Sequence, residues 1–201
     1  MLTKIKILCI GDSHTAGYPF FDPMYGGNPE SSYEYWVNLH LTNTFSSSTF
    51  ILENHGICGQ GSSEVYNRLK KLLTTNKYDI IIYWAGANDI AIGYSIQSIW
   101  KNLWKAYKLA KEKTLTFILV TIPPMDWYEI DPIIVELNEK ILSNSKNNYH
   151  CADVYPALEE KGKLKKVYNV GDGVHLSVEG YRLVGKVISD TLSEYLKSRI
   201  F

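Results

Sequence analysis

The amino-acid sequence predicts a three-layer α/β/α domain, in which helices cover both faces of a parallel β-sheet. Short apolar segments bounded by Gly, Pro, Asn or Asp alternate along the chain with longer segments whose apolar residues recur every three or four positions. Such alternation is typical of parallel sheets, because a parallel neighbour is reached only through a crossover. A chain of 201 residues can bury roughly 70% of its unfolded surface, so we expect residues 1–201 to form a single domain.

The strands are predicted from apolar runs. Residues 5–10 are apolar except for Lys6, as is typical of a strand buried on both faces, and Gly11 marks the carboxyl end of this strand. Residues 79–84 form a second run of this kind. The other predicted strands are residues 50–53, 116–120 and 149–154.

The helices are predicted from apolar periodicity and from capping residues. Ser31 or Ser32 is expected to cap the first helix, whose apolar face we assign to Tyr35, Trp36, Leu39 and Leu41 or Phe45. Further helices are predicted over residues 65–73 and 99–113 and from about Pro132, where a proline suits the first turn. The last helix is expected to begin at its cap Ser177 and to bury Tyr181, Val184, Val187, Ile188, Leu192 and Tyr195.

Two stretches show no regular pattern. Residues 16–32 contain too many glycines and prolines for regular structure, and their aromatic side chains predict a packed flap over the edge of the sheet. Residues 155–170 are rich in Lys and poorly periodic, and their structure is left open.

Polar residues follow three of the predicted strands at their carboxyl ends. Ser13 stands in the run Gly-Asp-Ser-His-Thr after the first strand, Gly59 in a glycine-rich turn after the second, and Asn88 after the third. Because the carboxyl ends of parallel strands lie at one edge of a sheet, we expect these three residues to meet there. Each of these turns, taken alone, is more often only a turn.

A serine at such an edge is a good nucleophile only when an imidazole accepts its proton and an acceptor holds that imidazole in one tautomer. Asp172 and His175, three positions apart before the last helix, can supply this pair as one local unit. The N–H groups of Ser13 and Gly59 and the side-chain amide of Asn88 are candidate donors to the oxyanion of an acyl-transfer intermediate. The sequence therefore predicts a Ser13–His175–Asp172 triad with an oxyanion hole.

Two further acidic residues, Asp12 and Asp89, stand beside Ser13 and Asn88. Either could be a second catalytic acid, but a carboxylate in such a turn more commonly accepts hydrogen bonds from loop amides. We therefore predict structural roles for both.

Taken together, these residues resemble the sequence blocks of the GDSL or SGNH hydrolases. Gly-Asp-Ser-His at 11–14 is similar to the block of the nucleophilic serine, Gly59 to the oxyanion-hole glycine, Gly-Ala-Asn-Asp at 86–89 to the third block, and Asp-Gly-Val-His at 172–175 to the last. The resemblance implies a flavodoxin-like α/β/α fold with five parallel strands, and hydrolysis of esters or thioesters without a metal. The chain departs from the family at His14, where the motif has Leu, and this departure bears only on local packing.

Apolar residues near these blocks are candidates for a substrate pocket. We assign to it Trp84, Met125, Trp127 and Val174, with Tyr128 and the pair Phe20-Phe21. The alternative is that they form a hydrophobic cap over the sheet. Such residues suit a small acyl ester, a thioester, a lysophospholipid or an acetylated sugar, and the sequence does not choose among them.

The composition limits the kinds of molecule that we expect this protein to bind. Lys and Arg total 21, as do Asp and Glu, so we expect neither nucleic acid nor an anionic membrane as partner. No run approaches the roughly 18 apolar residues of a membrane span, and no leader-like series follows Met1. With three widely spaced cysteines, these features predict a cytoplasmic protein without a zinc site. We expect no metal or other cofactor and a small-molecule ester as substrate, and we leave a homo-oligomer open.

Two other functions remain open at this point. The chain could be a ligand-binding module that keeps the fold without turnover. It could also bind phosphate or nucleotide through the glycine turns at Gly11 and residues 56–61, although neither Gly-x-x-x-x-Gly-Lys nor Gly-x-Gly-x-x-Gly occurs.

Overall fold

A computed structural model describes residues 3–126 and 130–200 of the chain. Within these ranges, the central sheet has five parallel strands, as the sequence predicts. They are β1 (Thr3–Gly11), β2 (Ser48–Gly56), β3 (Ile80–Trp84), β4 (Thr116–Val120) and β5 (His150–Ala152). Their spatial order is β2-β1-β3-β4-β5. The chain adds β2 on one side of β1 and then β3 on the other side, so the order of the strands switches between β1 and β3. Such a switch point opens a crevice at the carboxyl ends of the strands.

The helices predicted from the sequence occur in the predicted order, and the described ranges contain three further helices of four or five residues that the sequence pattern does not predict. They are α1 (Ser13–Ala16), α2 (Tyr33–Thr44), α3 (Ser62–Thr75), α4 (Ala87–Ala91), α5 (Ile96–Glu112), α6 (Asp131–Ser145), α7 (Tyr155–Leu158) and α8 (Val178–Ile200). Helices α3, α5 and α6 cover one face of the sheet, and α2 and α8 cover the other. This arrangement confirms the three-layer α/β/α prediction. No helix in the described part of the chain is both long and apolar enough to cross a bilayer.

The core consists of two apolar layers, one on each face of the sheet. Leu8 and Ile10 of β1 face α3 and α5, whereas Ile7 and Cys9 face α2 and α8. All four are fully buried, because successive side chains of a strand point to opposite faces. The central strands are thus buried on both sides, as their apolar runs predict.

The apolar face of α2 differs from the prediction. Tyr35 and Leu39 are 40% and 42% exposed, whereas Tyr33, Val37 and Leu41 are fully buried. The buried set has the spacing of four that places residues on one face of a helix, and it packs in the same layer as α8. Both faces of α2 carry apolar residues, so periodicity alone did not identify the buried one.

The stretch 16–32 corrects a second prediction. It is not wholly irregular, since Phe21–Asp22 pairs with Gly26–Gly27 in a short antiparallel hairpin. Nor is it closely packed, because Met24 and Tyr25 are 81% and 86% exposed. Backbone hydrogen bonds stabilise the hairpin, and the Asp22 carboxylate stabilises its turn by accepting the N–H groups of Met24 and Tyr25. The side chains of Met24 and Tyr25 therefore project outward from the turn of the hairpin.

The stretch 155–170, left open by the sequence, contains short elements. Helix α7 is followed by a hairpin of Glu159–Glu160 with Lys163–Leu164, and by a 3₁₀ turn at Lys166–Tyr168. Each is two to four residues long, too short to produce a periodic pattern. Ser177 caps α8 as predicted, since its Oγ accepts the N–H of Gly180 at 3.2 Å.

Candidate active site

Ser13 opens α1 directly after β1. The carboxylate of Asp12 accepts the N–H of His14 at 3.0 Å, which caps this short helix. A Cβ on Gly56 would lie 2.0 Å from the backbone nitrogen of Ala16, so α1 packs directly on the end of β2 and only glycine fits there. These contacts fix Ser13, which is 6% exposed, at the switch point of the sheet.

His175 and Asp172 stand on the loop before α8 and face Ser13. Nδ1–H of His175 donates to Oδ2 of Asp172 at 2.6 Å, and Nε2 lies 3.0 Å from the hydroxyl oxygen of Ser13. The other carboxylate oxygen of Asp172 accepts the backbone N–H groups of Val174 and His175, at 2.9 and 2.8 Å. The spacing of three lets one carboxylate hold both the loop backbone and the imidazole. The structure therefore brings Ser13, His175 and Asp172 together.

The electrostatics of this dyad favour a neutral imidazole beside a charged carboxylate. Partial burial raises the pKa of Asp172, but hydrogen bonds from the His175 and Val174 N–H groups and from the imidazole outweigh it, so the pKa is lowered. Burial lowers the pKa of His175, and the nearby His14 adds to this effect while Asp172 opposes it. A lowered pKa leaves His175 able to accept a proton at neutral pH.

Gln60 connects Gly59 to Asn88, because it follows Gly59 in the chain and accepts a hydrogen bond from Asn88. Gly59 adopts a left-handed backbone with φ of +78°, and no heavy atom lies within 4 Å of where its Cβ would be. Nδ2 of Asn88 donates to the carbonyl of Gln60 at 3.0 Å, which ties the start of α4 to the glycine turn. The second N–H of this amide has no hydrogen-bond partner among residues 3–126 and 130–200.

Asp89 joins the same two turns through hydrogen bonds to Ser62. Its carboxylate accepts the N–H of Ser62 at 2.6 Å and the hydroxyl of Ser62 at 2.8 Å, which joins α4 to the start of α3. This agrees with the structural role predicted for Asp89, and the capping bond of Asp12 agrees with the role predicted for that residue. Neither needs to be a second catalytic acid.

Arg68 supports the site and was not identified from the sequence. Its guanidinium donates to the carbonyls of Gly11 and His55 and to the side chain of Gln60. It therefore clamps the ends of β1 and β2 to the glycine turn. A signal did exist, because the chain carries only three arginines among its 21 basic residues and arginine is the residue suited to several fixed hydrogen bonds.

A cavity of about 160 Å³ lies beside Ser13 and His175. Its apolar wall consists of Ala87, Ala91, Met125 and Val174, so two of the predicted pocket residues line it. A groove of about 730 Å³ is larger, but it lies at the opposite edge of the sheet, where β3 and β4 begin. None of the predicted site residues lines that groove.

Trp84 does not line the cavity, which corrects that prediction. It is 1% exposed, its ring packs 5.1 Å from that of His14, and its Nε1–H donates to the carbonyl of Thr121 at 2.9 Å. Its side chain belongs to the layer on the α2 and α8 face, beneath the site rather than inside it. Trp127 and Tyr128 lie outside the described residues, and Phe20 is 55% exposed on the loop after α1.

The site consists of organic side chains and backbone groups. Within the ranges that the structure describes, no group of three or more His, Cys, Asp and Glu could hold a metal ion. The chemistry open to the described arrangement is proton transfer along Ser13, His175 and Asp172, next to amide donors and an apolar pocket.

Comparisons with known proteins identify the family of this chain. Residues 9–183 match the model of the GDSL-like Lipase/Acylhydrolase family. A protein described as an arylesterase from Vibrio mimicus is 23% identical over 193 residues, which are 95% of this chain and 90% of that protein.

Two solved structures share the fold over nearly the whole chain. A member of the lipolytic protein G-D-S-L family from Veillonella parvula has a TM-score of 0.78 at 23% identity, over 94% of this chain and 98% of that one. A catalytic mutant of an acetylxylan esterase from Geobacillus stearothermophilus has a TM-score of 0.76 at 18% identity, over 96% and 95%. With the family match extending from β1 into α8, the chain is a carboxylic ester hydrolase and belongs to the GDSL-like lipase/acylhydrolase family.

Proposed function

We propose that this esterase hydrolyses esters of small acyl groups through a covalent acyl-enzyme on Ser13. The observation that carries the proposal is the continuous hydrogen-bonded series from the Ser13 hydroxyl through His175 to Asp172, at 3.0 and 2.6 Å. This series has the order of nucleophile, base and orienting acid that acyl transfer to serine requires. Ser13 and His175 are 162 positions apart in the chain, so their hydrogen bond is not the product of a local turn.

In the proposed mechanism, Nε2 of His175 accepts the Ser13 proton while Oγ attacks the ester carbonyl carbon. The resulting imidazolium stays hydrogen-bonded to the charged Asp172 and then gives its proton to the oxygen of the leaving alcohol as the C–O bond breaks. A water molecule attacks the acyl-enzyme with His175 again as base. The carboxylic acid leaves, and Ser13 regains its proton.

The negative oxygen of each tetrahedral intermediate needs donors that are already in place. We assign this role to the N–H groups of Ser13 and Gly59 and to Nδ2–H of Asn88. Two observations support the assignment: the N–H of Gly59 has no acceptor among the described residues, and the amide of Asn88 is held by Gln60 through only one of its two N–H groups. One such donor contributes on the order of 10² to 10³ to the rate.

The size of the cavity supports a small acyl group. At about 160 Å³ it is similar to cavities of about 150 Å³ that hold a benzene molecule. Its apolar wall of Ala87, Ala91, Met125 and Val174 suits an acetyl to roughly hexanoyl chain or an aromatic ring. The acetylxylan esterase that shares this fold is named for an acetyl ester, the smallest of these acyl groups.

A chain-length series of p-nitrophenyl esters tests the proposal. We expect hydrolysis of acetate to hexanoate esters, with kcat/KM falling for longer acyl chains. Ser13→Ala should lose about 10³-fold or more of kcat, whereas Ser98→Ala, which removes an exposed hydroxyl on α5, should leave kcat unchanged. Equal losses in the two variants, or full activity of folded Ser13→Ala, would contradict the nucleophile assignment. A preference for long acyl chains would contradict the assigned pocket.

A further inference from the structure

A buried histidine occupies the position at which the family motif has leucine. His14 is 1% exposed and follows the proposed nucleophile in α1. Its ring lies between that of Trp84, at 5.1 Å, and that of His175, at 5.7 Å. The mechanism proposed above does not use it. A polar ring buried at this depth is costly unless its nitrogens are hydrogen-bonded.

Both ring nitrogens of His14 face hydrogen-bond acceptors. Nε2 lies 3.1 Å from the carbonyl oxygen of Val174, and Nδ1 lies 3.4 Å from Oδ1 of Asp12. Nδ1 has no closer polar partner in the described part of the chain. A neutral imidazole donates from only one nitrogen, so only the imidazolium suits both neighbours. Burial lowers the pKa of His14, but the contacts with Asp12 and the Val174 carbonyl outweigh it and raise the pKa.

The contact with Val174 joins two parts of the site that are distant in sequence. Val174 lies between Asp172 and His175, and its carbonyl meets a side chain 160 positions away. The bond between Ser13 and His175 spans the same gap, but it breaks during each catalytic cycle as the proton moves. The bond from His14 lies outside the proton path, so it persists while the other is broken.

We propose that His14 is a positioning residue, which holds the loop of Asp172 and His175 against the turn of Ser13 through the bond from its Nε2–H to the Val174 carbonyl. This proposal rests on the proposed function of Ser13, His175 and Asp172. Small displacements of a catalytic base are costly, since a shift of about 1 Å can reduce the rate by about 10²-fold. A fixed distance between the loop and the turn is therefore of direct value to the reaction.

The charge on His14 has a second consequence for His175. The titratable groups that face the His14 ring are Asp12 on its own turn and Asp172 and His175 on the loop, while β3 contributes the uncharged Trp84. A positive His14 disfavours a second positive charge on His175. His175 should therefore stay neutral, and able to act as a base, to lower pH than it would beside leucine.

Three substitutions separate these effects. His14→Leu restores the residue of the family motif and removes both the tether and the charge. In His14→Gln the side-chain amide can reach the position of Nε2, whereas in His14→Asn it reaches only that of Nδ1, so the two uncharged variants differ in the tether. His40→Gln, on α2 outside the site, is the matched control for loss of a histidine. Urea unfolding of each variant establishes that it is folded.

With p-nitrophenyl acetate, we expect His14→Leu and His14→Asn to lose about 10- to 100-fold in kcat with little change in KM, and His14→Gln to recover most of this loss. In all three, the acidic limb of the kcat/KM profile should move to higher pH, while His40→Gln matches the wild type. Equal kcat values for His14→Gln and His14→Asn would overturn the tether. An unmoved acidic limb would overturn the charge effect.

Two readouts keep the outcome decisive. If His14→Leu does not fold, the Gln and Asn pair still decides, and ¹⁵N NMR of the wild-type imidazoles should find a proton on Nε2 of His14 throughout the pH profile and a second proton, on Nδ1, in its acidic limb. A His14 without a proton on Nε2 would overturn the tether, and a His14 that stays neutral through the acidic limb of the pH profile would overturn the charge effect. A fluorophosphonate probe should still label Ser13 in each folded variant, although more slowly. Absence of labelling in the wild type would instead refute the proposed nucleophile, which distinguishes the two failures.

Discussion

Glu34 offers a test of the structure that is independent of catalysis. It lies in the first turn of α2 and is 7% exposed. Oε2 accepts the Ser32 hydroxyl at 2.6 Å, while Oε1 has no hydrogen-bond partner among the described residues. Burial raises the pKa of Glu34 from its ordinary value of 4.5 to about 8, because a carboxylate without a cation is poorly solvated there.

The direction of the pH effect follows from this raised value. Between about pH 4.5 and pH 8 the folded state keeps a proton on Glu34 that the unfolded chain has lost. Stability therefore decreases as pH rises through this window. Each pKa unit corresponds to about 1.4 kcal/mol, so the contribution of Glu34 between pH 5 and pH 8 is about 3 to 4 kcal/mol.

Urea unfolding at pH 5 and pH 8 measures this contribution. In Glu34→Gln the side chain cannot ionise, so the loss of stability between the two pH values should be smaller than in the wild type by about 3 kcal/mol. Glu30→Gln is the matched control, because it makes the same substitution at an exposed position on the preceding turn. If wild type and Glu34→Gln lose stability equally, Glu34 is not buried as an uncharged acid and the reasoning is refuted.

Two predictions concern the pocket and the oxyanion hole. Asn88→Ala should fold normally and lose about 10²-fold or more in kcat. The assay uses p-nitrophenyl acetate, with Asn147→Ala as the exposed control. Unchanged turnover would show that Asn88 is not part of the oxyanion hole. Ala91→Phe should fill much of the cavity and lower kcat/KM for the hexanoate ester far more than for the acetate, while Ala91→Ser, which keeps the volume, should not. An unchanged ratio of the two esters would place the acyl group elsewhere.

The general positions of the site residues could be predicted because the fold fixes them. Ser13, Gly59 and Asn88 each follow a strand of one parallel sheet, and the carboxyl ends of such strands meet regardless of side-chain detail. The local spacing of Asp172 and His175 permits their hydrogen bond without any knowledge of the remaining fold. Topology and short-range geometry were therefore enough to bring these residues together.

Side-chain directions depended on contacts that the sequence does not contain. Trp84 lies with Ile80 and Ile82 on one face of β3, but the sequence does not say which face the cavity opens on. The same limit applies to α2, where the packing of α8 decided between two apolar faces. The contacts of Arg68 and His14 span 57 and 160 positions, and no local pattern marks such partners.

The central claim is that Ser13, activated by His175, forms the acyl-enzyme. Its most direct measurement is the site and rate of reaction with a fluorophosphonate, followed by mass spectrometry of the digested protein. The structure predicts a single adduct on Ser13 in the wild type and no adduct in Ser13→Ala. In His175→Ala, the rate of reaction should fall by about 10³-fold or more. An adduct on another serine, or a wild-type rate in folded His175→Ala, would contradict the account.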